Sequence, residues 1–187
     1  MSETHKTNSH ARALQKPSKA LLCFHGTGSK GAIFNVQLAA VDRWSATKSN
    51  PACEIVGGIG FSEGALALSM LLWEQQQGAV PWLPRLHFAA MSCCFFPSEA
   101  SLWLNARAHG FGLTKAHIDV PTLHTHGNRD FCLGRARKLV RTHYRPEYAT
   151  VLQTEAGHHL PTKREEVAEV VKHILRLSTT APPIAVA

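Results

Sequence analysis

No apolar run in this chain reaches the roughly 18 to 20 residues that a membrane-crossing helix requires. The N-terminal stretch MSETHKTNSHARALQKPSK also lacks the apolar segment of a secretory signal. A cytoplasmic protein with no membrane partner is therefore expected, with residues 1–18 as a disordered polar tail. Cysteine is scarce and irregular. Cys23, Cys53, Cys93, Cys94 and Cys132 are odd in number and share no spacing, which argues against a disulfide framework or a zinc-type pair. Reduced, mostly buried thiols are expected. Internal repeats and coiled-coil heptads are absent as well. The basic cluster Arg135, Arg137, Lys138 and Arg141 has no interleaved aromatics, so it reads as a solvated helix face, and no nucleic-acid partner is expected.

What is present suffices for one core. At 187 residues and 44% hydrophobic, the chain fits a single domain, placed here at 19–177, with 178–187 as a frayed tail. Twenty Lys and Arg against 13 Asp and Glu give a formal charge of +7, which attracts anionic partners at long range and loses that attraction in salt.

Apolar runs and breakers alternate along the chain. ALLCFHGTG (20–28), EIVGGIGF (54–61), RLHFAAMS (85–92), VPTLHTHG (120–127) and ATVLQTEAG (149–157) read as strands. Helices are expected over 32–44, from the turn at 60–64 to about 77, over 134–144, and over 162–177. The stretch 95–118 has no clean period and reads as a short helix with a pocket-lining loop. Strands alternating with helices imply parallel crossovers and an α/β fold with a mainly parallel sheet covered on both faces.

In such sheets, functional groups gather beyond the carboxyl ends of the strands. Those ends carry His25-Gly26-Thr27-Gly28, then Ser62, Ser92, Gly127-Asn128-Arg129-Asp130, and Gly157-His158-His159. Gly60-x-Ser62-x-Gly64, set between a strand and a helix, is the context of a serine nucleophile on a sharp, strained turn. The chain order Ser62, Asp130, His158 matches that of α/β-hydrolases, with His158 as base and Asp130 as its orienting acid. The backbone N–H of Glu63, with that of Thr27 or Gly28, would form the oxyanion hole. On geometry alone, His158 and His159 remain alternatives. His124 and His126 share a strand face but have no third ligand at metal spacing, so packing or hydrogen-bonding roles are expected and no metal or other cofactor is assigned. Asp119 precedes its strand and falls at the wrong end of the sheet. Ser92, Cys93 and Cys94 lack flanking glycines and read as pocket wall.

The segments LLCFHGTGSKGAIFNVQ, GGIGFSEGALAL, HFAAMSCCFFP, VPTLHTHGNRD and EAGHHLPTKREEV, in this order, resemble the fungal serine hydrolase family of LovG-like α/β-hydrolases. The resemblance covers most of residues 20–175. The family pattern of Gly-His, two residues and Pro falls on Gly157-His158-His159-Leu160-Pro161, and implies that His158 is the catalytic histidine. It also implies a cofactor-free hydrolase of esters or thioesters. Several such proteins release a polyketide acyl chain from the carrier domain of its synthase, so a carrier domain is a candidate partner here. The chain departs from the family pattern in one place. Only 36 residues separate His25 from Ser62, where the family usually has a further strand, helix and pocket loops. An α/β-hydrolase-like sheet shortened by about one strand-helix unit between residues 25 and 62 is expected, with the ALLCFHG strand exposed as a sheet edge. Two other readings are an inactive hydrolase-like scaffold that binds an acidic carrier partner, and a general carboxylesterase for small esters.

Overall fold

Each apolar run that ends in a glycine or polar turn becomes a strand. A computed structural model describes residues 18–30, 33 and 53–180. Five strands, β1 (Ser18–Phe24), β2 (Cys53–Phe61), β3 (Phe88–Ser92), β4 (Thr122–Gly127) and β5 (Ala149–Thr154), pair in parallel in the spatial order β1-β2-β3-β4-β5. The expected helix over 32–44 lies outside the described residues, Ile33 apart.

Four described helices follow strands β2 to β5: α1 (Glu63–Gln76), α2 (Ser98–Gly110), α3 (Leu133–His143) and α4 (Arg164–Thr180). Two differences from the sequence reading have simple causes. β4 starts at Thr122 rather than at Val120 because Pro121 has no N–H to donate, although its carbonyl still accepts from Ala89 N at 3.1 Å. The ambiguous stretch 95–118 contains a full 13-residue helix, α2. Its buried stripe is Ala100, Leu104 and Ala108, four residues apart, whereas Leu102 and Trp103 face outward and obscure the period.

The sheet separates two apolar layers, and alternate residues of one strand serve opposite layers. On β3, Ala89 and Met91 pack with Leu68, Leu72 and Trp73 of α1 and Leu104 of α2, while Phe88 and Ala90 pack with Ile174 of α4. Each fully buried leucine here is worth roughly 1.5–3 kcal/mol. The doubly covered parallel sheet expected from the sequence is thus observed. β1 pairs β2 directly and is an edge of the described sheet, as the short interval between His25 and Ser62 implies. Among the described residues no helix is long and apolar enough to cross a membrane.

Candidate active site

The carboxyl ends of β2, β3, β4 and β5 lie side by side, since Phe61 pairs with Ser92, Ser92 with Thr125, and Gly127 with Thr154. Residues immediately beyond those pairs share one rim. Ser62 caps α1 with φ 55 and ψ −119, a conformation that L residues rarely adopt and that costs about 1–3 kcal/mol. The surrounding backbone holds it there. Ser62 N donates to the Ser92 carbonyl at 3.0 Å, and Phe95 N and Ala65 N donate to the Ser62 carbonyl at 3.2 and 3.1 Å. Gly60 and Gly64 make the turn possible. A Cβ on Gly60 would lie 2.6 Å from the Ala65 Cα, and one on Gly64 would lie 2.6 Å from the His25 carbonyl oxygen.

Ser62 Oγ is 2.8 Å from His158 Nε2, and His158 Nδ1 is 2.9 Å from Asp130 Oδ1. The structure therefore brings Ser62, His158 and Asp130 into one hydrogen-bonded line. Asp130 is held by the turn after β4: Cys132 N donates to the same Oδ1 at 2.7 Å, and Asp130 N donates to the Gly127 carbonyl at 3.1 Å. His159 points elsewhere. Its Nδ1 is 2.8 Å from the Leu160 carbonyl, and its Nε2 accepts from Gly157 N at 3.2 Å.

The loop after β1 passes close to this line, since a Cβ on Gly26 would sit 3.1 Å from the Ser62 Cβ. Thr27 and Glu63 line a common open concavity of about 350 Å³ with His25, Gly26 and Gly64. Glu63 opens α1, where the first N–H groups have no acceptor within the helix. Gly28 takes φ 75 at the tip of the loop and does not line that concavity.

Two aromatic rings flank the imidazole. The Phe61 ring lies 5.3 Å and the Phe131 ring 4.5 Å from that of His158, and Phe131 is otherwise 77% exposed. The sequence reading missed Phe131. Its only signal is its place next to Asp130 on a strand-end loop.

Cys93, expected from the sequence to be pocket wall, touches the site. It is buried, takes φ 50, and its Sγ lies 3.6 Å from both the Gly157 and His159 carbonyls, on either side of His158. Burial, with the Asp130 carboxylate adding to it, pushes its thiol up to about 12. Ligand atoms of Cys93, Asp130 and His158 lie within 4.8 Å of one another, a spacing that could hold a metal ion. A thiol that stays protonated and an Asp130–His158 hydrogen bond already made favour a hydrogen-bond network instead.

The remaining sequence candidates have structural roles. His124 Nε2 is 3.0 Å from Thr122 Oγ1, and its ring lies 4.6 Å from that of Tyr144, deep in the core. Asp119 is at the opposite end of the sheet, paired with Arg145 at 2.8 Å. Arg135, Arg137 and Arg141 are exposed on α3, with Arg135 stacked 4.6 Å over the Phe95 ring. Cys94 and Cys132 are buried thiols like Cys93, as expected of most of the cysteines, whereas Cys23 is exposed.

A parallel five-stranded sheet, with a serine on a strained strand-to-helix turn and a histidine and an aspartate on later strand ends, defines an α/β-hydrolase. An esterase/lipase from an uncultured bacterium has the same fold, with a TM-score of 0.53 and 12% sequence identity over 89% of this chain and 78% of that one. The chain belongs to the serine hydrolase (FSH1) family, whose pattern it matches over residues 45–170, and it is a hydrolase. It is 32% identical to the esterase mlcF of Penicillium citrinum, with 87% of this chain and 91% of that protein aligned. It is 29% identical to the dihydromonacolin L-[lovastatin nonaketide synthase] thioesterase of Aspergillus terreus, over 90% of this chain and 96% of that one. The first of these alignments runs over 231 positions, more than the 187 residues of the chain, so part of that relative has no counterpart here.

Proposed function

We propose that the chain is a cytoplasmic serine thioesterase that releases a polyketide acyl chain from the carrier domain of its synthase, with Ser62 as nucleophile, His158 as base and Asp130 as orienting acid. The observation that carries this reading is the unbroken line from Ser62 Oγ through His158 to Asp130, which begins at a strained backbone turn. Ser62 Oγ attacks the thioester carbonyl while its proton passes to His158 Nε2, and Asp130 holds the imidazole with Nδ1–H directed at its carboxylate. The oxyanion of the tetrahedral intermediate is met by the N–H of Glu63 and by one from Thr27 or Gly28. Collapse breaks the C–S bond, and the leaving thiolate takes the proton from His158. Water then attacks the acyl-serine, gives its proton to His158, and frees the acid as Ser62 Oγ recovers that proton.

Two features favour a carrier-bound substrate over a small free ester. The exposed Phe131 ring beside His158 offers an apolar surface to an acyl chain. Arg135, Arg137 and Arg141 project from α3, the helix that follows the Asp130 loop, and with the net charge of +7 they suit an acidic carrier domain.

The test is labelling with a fluorophosphonate probe followed by intact-mass analysis. Wild type is expected to take a single adduct, Ser62→Ala none, and His158→Ala to react orders of magnitude more slowly than His159→Ala. Folded wild type that takes no adduct would leave the inactive, partner-binding scaffold as the better reading. Binding of an acyl-loaded carrier domain that weakens with salt separates the thioesterase from a small-ester carboxylesterase.

A further inference from the structure

The Asp130 side chain is 1% exposed, and only one of its oxygens is satisfied. Oδ1 takes both His158 and the Cys132 N–H, while Oδ2 is buried without a hydrogen-bond partner. A carboxylate oxygen left unpaired in the interior is costly, and the buried Cys93 thiol, which the Asp130 carboxylate helps to keep protonated, is a donor at hand. Cys93 Sγ lies within 4.8 Å of the Asp130 ligand atom and, in the other direction, 3.6 Å from the carbonyls of Gly157 and His159. The thiol has one proton for these acceptors. The Gly157 carbonyl already accepts from His159 N at 2.9 Å, whereas Asp130 Oδ2 has no donor and carries the charge that makes an acceptor strong.

We propose that Cys93 is a positioning residue for the acid and base, donating its thiol proton to Asp130 Oδ2 while its sulfur, lodged between the carbonyls on either side of His158, fixes the loop that presents the imidazole to Ser62. The backbone supports a role beyond filling space. Cys93 is one of two non-glycine residues with positive φ among the described residues, and the other is Ser62. Cys93 N is tied to the Thr125 carbonyl at 3.1 Å, which sets the direction of the side chain from β4, the strand that leads to Asp130. The buried, protonated state of the thiol is what a donor requires.

This inference rests on the serine-hydrolase reading, and the experiment separates the two. Wild type, Cys93→Ala, Cys93→Ser and Cys93→Gly are compared by the rate of fluorophosphonate labelling and by kcat and KM for p-nitrophenyl butyrate, each across a pH series. In Cys93→Ala, kcat is expected to fall on the order of tenfold with little change in KM, less than the roughly hundredfold cost of a 1 Å misplacement. The acidic limb of its rate profile moves to higher pH, because a carboxylate that has lost a donor holds the imidazolium more firmly. Cys93→Ser keeps a donor and recovers most of the rate and the wild-type limb. Cys93→Gly adopts φ 50 without strain, which offsets part of the cost of deleting a buried side chain, so it is expected to fold at least as well as the alanine variant and to share its kinetic defect. An active wild type whose alanine and glycine variants keep its rate and pH profile overturns the role of Cys93 alone. A serine variant that behaves like alanine also overturns it. A wild type that neither labels nor turns over overturns the hydrolase reading and this one with it.

Discussion

Gly64, the second residue of α1, lies directly against the end of β1, and a Cβ there would meet the carbonyl oxygens of both Phe24 and His25, the latter at 2.6 Å. These are backbone atoms of the strand end, so neither can rotate away. The absence of a side chain at residue 64 is what lets the loop carrying Thr27 reach the turn that carries Ser62. Gly64→Ala is expected to cost about 1–3 kcal/mol of stability, as overpacking does, and to slow acylation by moving the β1 loop. Gly134 on α3 is the control. It has nothing within 4 Å of its own Cβ position, so Gly134→Ala is expected to be neutral or slightly stabilising. Urea denaturation of the two variants checks this, and equal stability would mean that the β1 end shifts freely.

The strain at Ser62 makes a separate prediction. Its backbone angles, φ 55 and ψ −119, are open to glycine and penalised for any residue with a Cβ. Ser62→Gly and Ser62→Ala both remove the hydroxyl, and they differ only in the Cβ. The glycine variant is expected to be more stable than the alanine variant by roughly 1 kcal/mol. Thermal melts decide it. A glycine variant that is no more stable would mean that the turn relaxes in the mutants and that no strain is stored there.

The rim was legible in the sequence because a parallel sheet places all its strand ends at one edge, so a Ser, an Asp and a His at three such ends must fall near one another. Which of two adjacent histidines faces Ser62 was not legible from spacing. That depends on local hydrogen bonds, with His159 turned toward the Leu160 carbonyl and the Gly157 N–H. α2 was blurred because its core-facing stripe is built mostly from alanines while a leucine and a tryptophan face outward, a pattern in which size and hydrophobicity mislead. Cys93 was missed for a different reason. Its part in the site depends on contacts with residues 64 and 66 positions away, and nothing in its neighbours MSCCFF announces a polar role.

The buried histidines of β4 and α3 predict how stability depends on pH. Burial, aided by the charge of His126, pulls His124 down to about 3. Burial, aided by Arg137 and opposed by Asp130, pulls His126 down to about 4. Burial lowers His143 too. In the unfolded chain all three take up protons near pH 6.5. Above that pH both states are neutral at these positions and the histidines contribute no slope. As pH falls from 6.5 toward 4, the unfolded state binds protons that the folded state refuses, so stability declines, by up to about 1.4 kcal/mol per pH unit for each proton. Urea midpoints measured at pH 7.5, 6.5, 5.5 and 4.5 are therefore expected to hold between the first two and fall across the rest. His126→Gln, which cannot take up that proton, is expected to show a shallower fall. Midpoints that stay level down to pH 4.5 would mean that these imidazoles are reached by water and protonate in place, and the layer between β4 and α3 would then be open rather than dry.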